Sequence, residues 1–320
     1  MPNQVTYSPA YTIVPTYECF NRCSYCNFRV DVGQDTWLSL EQAEQILKKL
    51  QGTEISEILI LSGEVHPDSS RRKQWFDRIW NICQLALDLG FLPHTNAGPL
   101  SRDEMRHLKE VNVSMGLMLE QLTPELLKTV HKHAPSKQPE VRHQQLVWAG
   151  ELKIPFTTGL LLGIGENEQD RIDSLKAIAD IQNQFGHIQE VILQPHSQGD
   201  RQSYKNENFP LDYLISLILQ AREILPETTV IQIPPNLLSE PKLLLACLEA
   251  GASDLGGISP RDEVNPDYPH LNSDYLRAIL EPAGWELVKR LPVYPQYYNW
   301  LIPGLQQKVR SHRAKLKKIA

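Results

Sequence analysis

Three of the five cysteines stand close together near the start of the chain, as Cys19-x3-Cys23-x2-Cys26. Thiolates are the usual ligands of iron–sulfur clusters, and three on one short loop can bind one face of such a cluster. A cluster of four irons held by three cysteines keeps one iron without a protein ligand. That open position suits a catalyst better than an electron carrier, which uses four cysteines for each cluster.

A structural zinc ion is the alternative metal that the same thiols could bind. Such a site needs four ligands in a tetrahedral arrangement. No fourth cysteine lies nearby, and the first histidine downstream is His66. The ligand count therefore favours the iron–sulfur cluster. Cys83 and Cys247 occur in apolar helical segments, where buried structural thiols are expected.

The composition excludes several classes of protein. The chain has 320 residues, of which 41% are hydrophobic and 22% charged, as in ordinary globular proteins. Its net charge of −6 argues against nucleic-acid binding. No apolar run is long enough to span a bilayer, and the first residues do not resemble a signal peptide. We therefore expect a soluble, cytoplasmic protein that binds neither nucleic acid nor membranes. The basic segment 308–320 is interpreted as a solvated terminal helix.

Short apolar segments alternate with amphipathic segments along the chain. The predicted strands are 11–16, 57–62, 92–96, 111–119, 155–162, 188–194, 229–233 and 253–258. The predicted helices are 39–50, 71–89, 101–109, 139–152, 168–185, 212–224, 240–250 and 272–289. Ser39 and Ser101, each followed three residues later by Gln or Glu, predict capped helix starts. Eight β/α units of this kind predict a parallel (βα)8 barrel of the TIM type.

We expect the barrel to cover residues 5–271 and a C-terminal helical extension, residues 272–320, to pack on it. Active sites of such barrels are built from the loops that follow the strands. Long loops are predicted at 197–209 and 259–271, after the sixth and eighth strands.

In this context the cysteine motif resembles that of the radical S-adenosylmethionine (radical SAM) superfamily, where it follows the first strand of a β/α barrel. Tyr25 matches the aromatic residue directly before the third cysteine. The resemblance implies a 4Fe-4S cluster whose open iron binds S-adenosylmethionine, and an external electron donor. Reductive cleavage would give methionine and a 5′-deoxyadenosyl radical that abstracts hydrogen from the substrate, so the cofactors carry the difficult step.

Three further residues occupy positions that resemble the superfamily's S-adenosylmethionine site. Glu64, in LILSGE after the second strand, matches the Gly-Glu pair that receives the methionine ammonium group. Glu120, in MGLMLE, matches a carboxylate that binds the ribose hydroxyls. Arg142, in VRHQQLVWAG, resembles a helix arginine that binds the methionine carboxylate. The resemblance implies that these residues and Tyr25 bind the cofactor.

A narrower resemblance extends over nearly the whole chain. It is to the cyclising subunits of 7,8-didemethyl-8-hydroxy-5-deazariboflavin (FO) synthase, and is carried by CFNRCSYCNF, PHTNAGPLSRDEM, VSMGLMLEQLTPELL, PFTTGLLLGIGE, GHIQEVILQPH, IQIPPNL and DLGGISPRDEVNPDYPH. This family is a group of carbon–nitrogen lyases that close the deazaflavin ring system with loss of ammonia. Their substrate joins the hydroxybenzyl group of tyrosine to a ribityl-diaminouracil. The resemblance implies a partner radical SAM subunit that supplies this adduct, because 320 residues leave room for one barrel.

Candidate substrate contacts follow from location at the active face of the barrel. They are His94, Thr95 and Asn96 at the end of the third strand, and Asp262 and Asn265 after the eighth. A sister radical SAM enzyme is the alternative function: the adduct-forming partner, a menaquinone-pathway enzyme or a biotin-type synthase. A non-catalytic iron–sulfur protein is the alternative of a different class, and it predicts a fourth protein ligand.

Overall fold

Eight parallel strands close into a barrel in the computed structural model, which describes residues 3–205, 209–238, 240–269 and 271–319, with side chains up to residue 316. The strands are β1 (Asn3–Ile13), β2 (Glu57–Leu61), β3 (Leu92–Asn96), β4 (Ser114–Gly116), β5 (Phe156–Leu162), β6 (Ile188–Pro195), β7 (Val230–Gln232) and β8 (Asp254–Ile258). They pair in chain order from β2 to β8, and β1 closes the ring by pairing with both β8 and β2. The predicted (βα)8 barrel is confirmed. Two of the predicted loops reach residues 206–208 and 270, which lie outside the described residues.

Helices follow each strand and form the outer layer. They are α1 (Leu40–Leu50), α2 (Arg72–Asp88), α3 (Arg102–Leu108), α4 (Pro139–Glu151), α5 (Glu168–Phe185), α6 (Leu211–Ile224), α7 (Pro241–Glu249) and α8 (Ser273–Leu280). The predicted capping boxes at Ser39 and Ser101 are confirmed, and Asn167 forms a third. Each box satisfies backbone N–H groups that a helix start would otherwise leave without a partner.

Helix α2 shows how the outer layer positions a strand end. Trp75, Ile79 and Ile82 recur at helical spacing and are fully buried against the barrel. Burial of one such side chain contributes about 1.5–3 kcal/mol. The Trp75 indole N–H lies 3.0 Å from Ser62 Oγ and 3.1 Å from the Gly63 carbonyl, and donates to this pair. The helix therefore fixes the backbone that follows β2.

Two strands differ from their predicted bounds by more than one residue at an end. Strand β1 begins at Asn3, eight residues before the predicted start at Tyr11, because its first half pairs with a strand that the sequence did not predict. Strand β4 covers only Ser114–Gly116 instead of residues 111–119. Its apolar flanks are buried without being part of the ladder.

The predicted helix over residues 272–289 is wrong in its second half. Helix α8 ends at Leu280, a 3-10 turn follows, and Gly284 adopts φ +81°. Strand β9 (Trp285–Lys289) then pairs in parallel with the first half of β1. A proline and a glycine stop the helix, and the branched and aromatic residues that follow favour a strand. The division at residue 271 stays a prediction.

The chain ends in helix α9 (Pro303–Ile319). Leu305 and Val309 are buried against the barrel layer, and Lys308 Nζ donates to the Leu87 carbonyl at 2.7 Å. Part of the basic segment is therefore bound to the end of α2. None of the described helices is long and apolar enough to cross a membrane.

Residues 290–294, which we name the barrel plug, close the amino-terminal end of the barrel. The Pro292 carbonyl accepts hydrogen bonds from Ser114 Oγ at 2.6 Å and from Gln189 Nε2 at 3.1 Å. These partners lie at the starts of β4 and β6. The plug therefore ties the beginnings of strands together across the barrel axis.

Arg290 is the charged residue of the plug, and its guanidinium lies inside the barrel. Its Nε and Nη2 donate to both carboxylate oxygens of Asp254, at 2.5 and 2.8 Å, and Nη2 also donates to Glu190. Tyr294 Oη lies 3.1 Å from an oxygen of each carboxylate. Burial, reinforced by Asp254 and opposed by Arg290, raises the pKa of Glu190 to about 7. One guanidinium thus holds two buried carboxyl groups.

Replacing Arg290 with methionine should destabilise the protein strongly, because it leaves both carboxyl groups buried without their cation. Breaking a buried ion pair in this way costs about 3–5 kcal/mol. Urea unfolding followed by circular dichroism would measure the loss.

The neighbouring cation provides the matched control. Lys289 pairs with Glu54 at 2.6 Å near the surface, so Lys289→Met should cost no more than about 1 kcal/mol. Equal unfolding midpoints for the two variants would contradict the role assigned to Arg290.

Candidate functional site

The loop after β1, which carries Cys19, Cys23 and Cys26, is fixed by backbone hydrogen bonds. Within the loop, the Cys26 amide donates to the Cys23 carbonyl at 3.1 Å. The amide of Ser24 donates to the Val130 carbonyl at 3.0 Å, in the segment between β4 and α4. We name residues 19–26 the cysteine loop. Its shape therefore depends on a segment about a hundred residues away.

The three thiols are partly buried and remain unlinked. Burial, and the nearby carboxylate of Glu64, raise the pKa of the Cys19 thiol to about 11. Burial raises the pKa of the Cys23 thiol to about 12, against the opposing charge of Lys137. Both groups are protonated near neutral pH, so a metal must displace their protons to bind.

The arrangement of the thiols bears on which metal they could hold. Among the described residues, no three or more His, Cys, Asp or Glu side chains are grouped to hold a single metal ion. The zinc alternative therefore gains no support. A cluster of several irons takes one thiolate at each of three corners, and three cysteines on one loop supply that number of donors.

Glu64 follows β2 and lies between the cysteine loop and α4. Its Oε2 accepts a hydrogen bond from Asn21 Nδ2 at 2.9 Å, and its Oε1 lies 3.5 Å from Arg142 Nη2. Asn21 Oδ1 accepts in turn from the Ser136 amide at 3.1 Å. Gly98 gives the carboxylate its space, since a Cβ there would overlap the Glu64 side chain.

Glu120 follows β4 in an unusual backbone conformation. Its φ is +65°, a left-handed value that few residues other than glycine adopt. The carboxylate pairs with Lys137 and lies 3.7 Å from Arg142 Nη1. Burial raises its pKa, but the two cations outweigh burial, and the net pKa lies below the ordinary value. Glu120 is therefore ionised and held by two positive charges.

Arg142, on α4, is only 2% exposed. Its Nη1 donates to the Met118 carbonyl, and its Nε donates to the Ser136 carbonyl at 3.2 Å. Packing and hydrogen bonds thus hold the guanidinium next to Glu64 and Glu120. The structure brings these three predicted residues together.

Tyr25 packs beside this group. Its hydroxyl lies 2.9 Å from His131 Nε2, and Lys137 Nζ stands 5.9 Å from the centre of its ring. Lys137 is a further residue of the site that the sequence did not single out; its side chain is only 11% exposed, and its Nζ donates to Glu120. A lysine in a short 3-10 turn carries no local signal that the fold will cover it.

A cavity of about 420 Å³ runs from the cysteine loop into the barrel. Its lining includes four of the residues just described: Tyr25, Glu64, Glu120 and Arg142. Cys26 also faces it. The predicted cofactor-binding residues therefore share one space with one of the thiols.

The predicted substrate contacts divide into two groups. His94, Asn96, Asp262 and Asn265 line the cavity. Thr95 points the other way: its hydroxyl donates to Asn112 Oδ1 at 2.8 Å on the helix side of β3. Because side chains alternate along a strand, Thr95 cannot share the cavity with His94 and Asn96, and its assignment as a contact is corrected.

Asp262, in the loop after β8, accepts hydrogen bonds from neighbouring protein groups. Asp262 Oδ1 accepts from the backbone amides of Val264 and Asn265, at 2.8 and 2.9 Å, and its Oδ2 accepts from Asn236 Nδ2 at 2.8 Å. Asp262 therefore shapes the mouth of the cavity from within its own loop.

The sequence profile of the radical SAM superfamily matches residues 13–178. Curated relatives extend over almost the entire chain. A protein of Trichormus variabilis named 7,8-didemethyl-8-hydroxy-5-deazariboflavin synthase is 65% identical over 308 residues, covering 96% of this chain and 91% of the relative. A Trichodesmium erythraeum protein of the same name is 60% identical, with 99% of each chain covered.

Solved structures share the fold at low sequence identity. The FeFe-hydrogenase maturase HydG from Carboxydothermus hydrogenoformans has a TM-score of 0.74 at 18% identity, over 99% of this chain and 78% of its own. Methylornithine synthase (PylB) has a TM-score of 0.68 at 16% identity, over 89% and 84%. These similarities concern the barrel architecture.

Gly98→Ala should destabilise the protein by more than the strain of its backbone conformation, because the added methyl group displaces the buried side chain of Glu64. Gly90 is the control: its φ of +93° imposes the same kind of strain, but a Cβ there meets nothing within 4 Å. We expect about 1–2 kcal/mol for Gly90→Ala and at least twice that for Gly98→Ala, from urea unfolding. Equal losses would show that Glu64 is not confined by Gly98.

Proposed function

Because the chain belongs to the radical SAM superfamily and, within it, to the 7,8-didemethyl-8-hydroxy-5-deazariboflavin synthase family, we propose that it catalyses the ring closure that yields FO. The substrate would be 5-amino-5-(4-hydroxybenzyl)-6-(D-ribitylimino)-5,6-dihydrouracil, and ammonia, methionine and 5′-deoxyadenosine would be released. The observation that carries the proposal is the convergence of the cysteine loop, Glu64, Glu120 and Arg142 on one cavity.

The family implies a 4Fe-4S cluster and S-adenosylmethionine, and the residues present fit both. Cys19, Cys23 and Cys26 would hold the cluster. When bound, cluster and cofactor supply a reducing electron and a 5′-deoxyadenosyl radical that removes a hydrogen atom from an unactivated carbon.

The residues around the cavity have distinct binding roles in this proposal. Glu64, an acceptor beside the cysteine loop, would bind the methionine ammonium group. Arg142 would bind the methionine carboxylate through its fork of N–H groups. Glu120, kept ionised by Lys137, would accept hydrogen bonds from the ribose hydroxyls. Tyr25 would pack against the cofactor from the wall of the cavity.

Two further requirements follow from the chemistry. A radical intermediate must be shielded from water, and a cavity inside the barrel provides that shield. The reaction also needs an external electron donor and a source of the adduct, for which we propose a partner radical SAM subunit. Substrate contacts of His94, Asn96, Asp262 and Asn265 belong to the same proposal.

Glu64→Gln should weaken S-adenosylmethionine binding by about tenfold to a hundredfold, because a charge-assisted hydrogen bond contributes about 1.5–3 kcal/mol. Iron content should stay unchanged. Calorimetric titration and iron analysis after anaerobic reconstitution would measure both. Glu125→Gln, at a surface position, is the control that should change neither quantity. A parallel loss of iron would assign Glu64 to the cluster instead.

Anaerobic turnover with the purified adduct, S-adenosylmethionine and a reductant should yield FO and ammonia, with one 5′-deoxyadenosine for each hydrogen atom abstracted. Mass and absorbance analysis would identify the products. If the protein instead consumed tyrosine and a ribityl-diaminouracil to make the adduct, the ring-closing function would be refuted in favour of the adduct-forming one.

A further inference from the structure

The cavity continues to the amino-terminal end of the barrel, where barrels of this type are normally filled by branched side chains. Three of its inward positions carry small residues: Ala10, Gly116 and Gly257. A Cβ on Gly257 would lie 3.1 Å from Ala10 Cβ and 3.9 Å from Glu57 Oε1, so a larger residue there would crowd this part of the barrel. The lining of the cavity reaches Glu57, the first residue of β2. Four residues of strand, about 13 Å, separate this depth from the end of β2.

The deep end of the cavity is polar. Glu57, His94 and Glu190 line it, each more than nine-tenths buried, and the barrel plug closes it from below through Arg290. We name Glu57, His94, Glu190 and Arg290 the cavity floor. Burying a polar group without a partner is costly. Glu190 already receives hydrogen bonds from Thr157, Arg290 and Tyr294. The need for a ligand or water partner therefore falls on His94 and Glu57.

His94 presents a single free acceptor to the cavity. Ser114 Oγ donates its only hydrogen to the Pro292 carbonyl at 2.6 Å, so at 2.7 Å it can only accept from His94 Nδ1. The hydrogen of the neutral ring is therefore on Nδ1, and Nε2 carries a lone pair. Among the described residues Nε2 has no hydrogen-bond partner. Glycine at position 116 lets the ring lie here, because a Cβ there would be only 3.0 Å from Nε2.

The carboxyl groups of the floor favour neutral partners over cations. Burial raises the pKa of both Glu57 and Glu190, and Arg290, which opposes this, is already bound to Asp254 and Glu190. A carboxyl group that keeps its proton, as Glu190 with a pKa of about 7 does in part near neutral pH, can donate as well as accept. Hydroxyl groups of a ligand do the same, so a hydroxyl-rich, uncharged group fits this floor.

We propose that the cavity floor binds the polyhydroxylated ribityl chain of the substrate, so that the aromatic end faces the cysteine loop. This inference rests on the proposed function and adds the orientation of the substrate. The rest of the wall agrees with it, because Phe28, Leu161 and Ile192 contribute apolar surface to the same cavity. His94 Nε2 and the Glu57 carboxyl group would bind chain hydroxyls, and Arg290 would position Glu190.

The test compares two ligands on the anaerobically reconstituted protein. One is FO, which carries the ribityl chain, and the other is the same tricycle with a methyl group in its place. His94→Asn keeps a donor for Ser114 but removes the acceptor at Nε2. Calorimetric titration should show FO binding about tenfold weaker in this variant, with the methyl compound changed less than twofold. His94→Gln, which restores a polar atom near Nε2, should recover part of the loss.

Thr95→Val is the matched control, since Thr95 neighbours His94 on β3 but points out of the barrel. It should leave the ratio of the two affinities unchanged. Should His94→Asn fail to fold, Glu57→Leu serves as the second variant, with the same expected loss confined to FO.

The outcomes separate the inference from the function on which it rests. Equal weakening of both ligands, or no weakening of FO, would overturn the assignment of the floor to the ribityl chain while turnover to FO still stands. Absence of FO binding together with absence of FO formation would overturn the proposed function and the orientation with it.

Discussion

The hydrogen bond from Asn21 to Glu64, and the contact of Glu64 with Arg142, join the three parts of the site that the chain must bring together. Asn21 belongs to the cysteine loop, Glu64 follows β2, and Arg142 lies on α4. The backbones that follow β1 and β2 are also in close contact, because a Cβ on Gly63 would overlap the Glu18 carbonyl. If this junction moved, the cysteine loop would no longer lie beside the cofactor-binding groups.

The two ends of the barrel use charge in different ways. At the carboxyl ends of the strands, Arg142 and Lys137 surround Glu120 and keep it ionised. At the amino ends, Arg290 faces more carboxyl groups than it can neutralise, and burial raises the pKa of Glu190. The upper end is therefore suited to a charged cofactor and the lower end to an uncharged polar group. A single cavity connects them.

Much of the fold and of the upper site could be predicted from sequence because the signals are local. Alternating segments predict the barrel, and the cysteine spacing predicts a cluster site. The Gly-Glu pair that includes Glu64 resembles the superfamily's pair that receives the methionine ammonium group. Strand alternation could have shown that Thr95 does not share a face with His94 and Asn96. The cavity floor could not be predicted, because Arg290 and Glu190 are 100 residues apart in the chain. Their contact depends on β9, which directly precedes Arg290 and which the sequence predicted as part of a helix. Lys137 was not predicted for a similar reason, since only the fold covers its side chain.

In the proposed function, three cysteines would hold a cluster with one iron open to S-adenosylmethionine. Electron paramagnetic resonance of the reduced, anaerobically reconstituted protein tests this arrangement most directly. We expect a 4Fe-4S signal whose shape changes when S-adenosylmethionine is added, because the cofactor would become a ligand of the open iron. A signal that stays the same with saturating cofactor would contradict it.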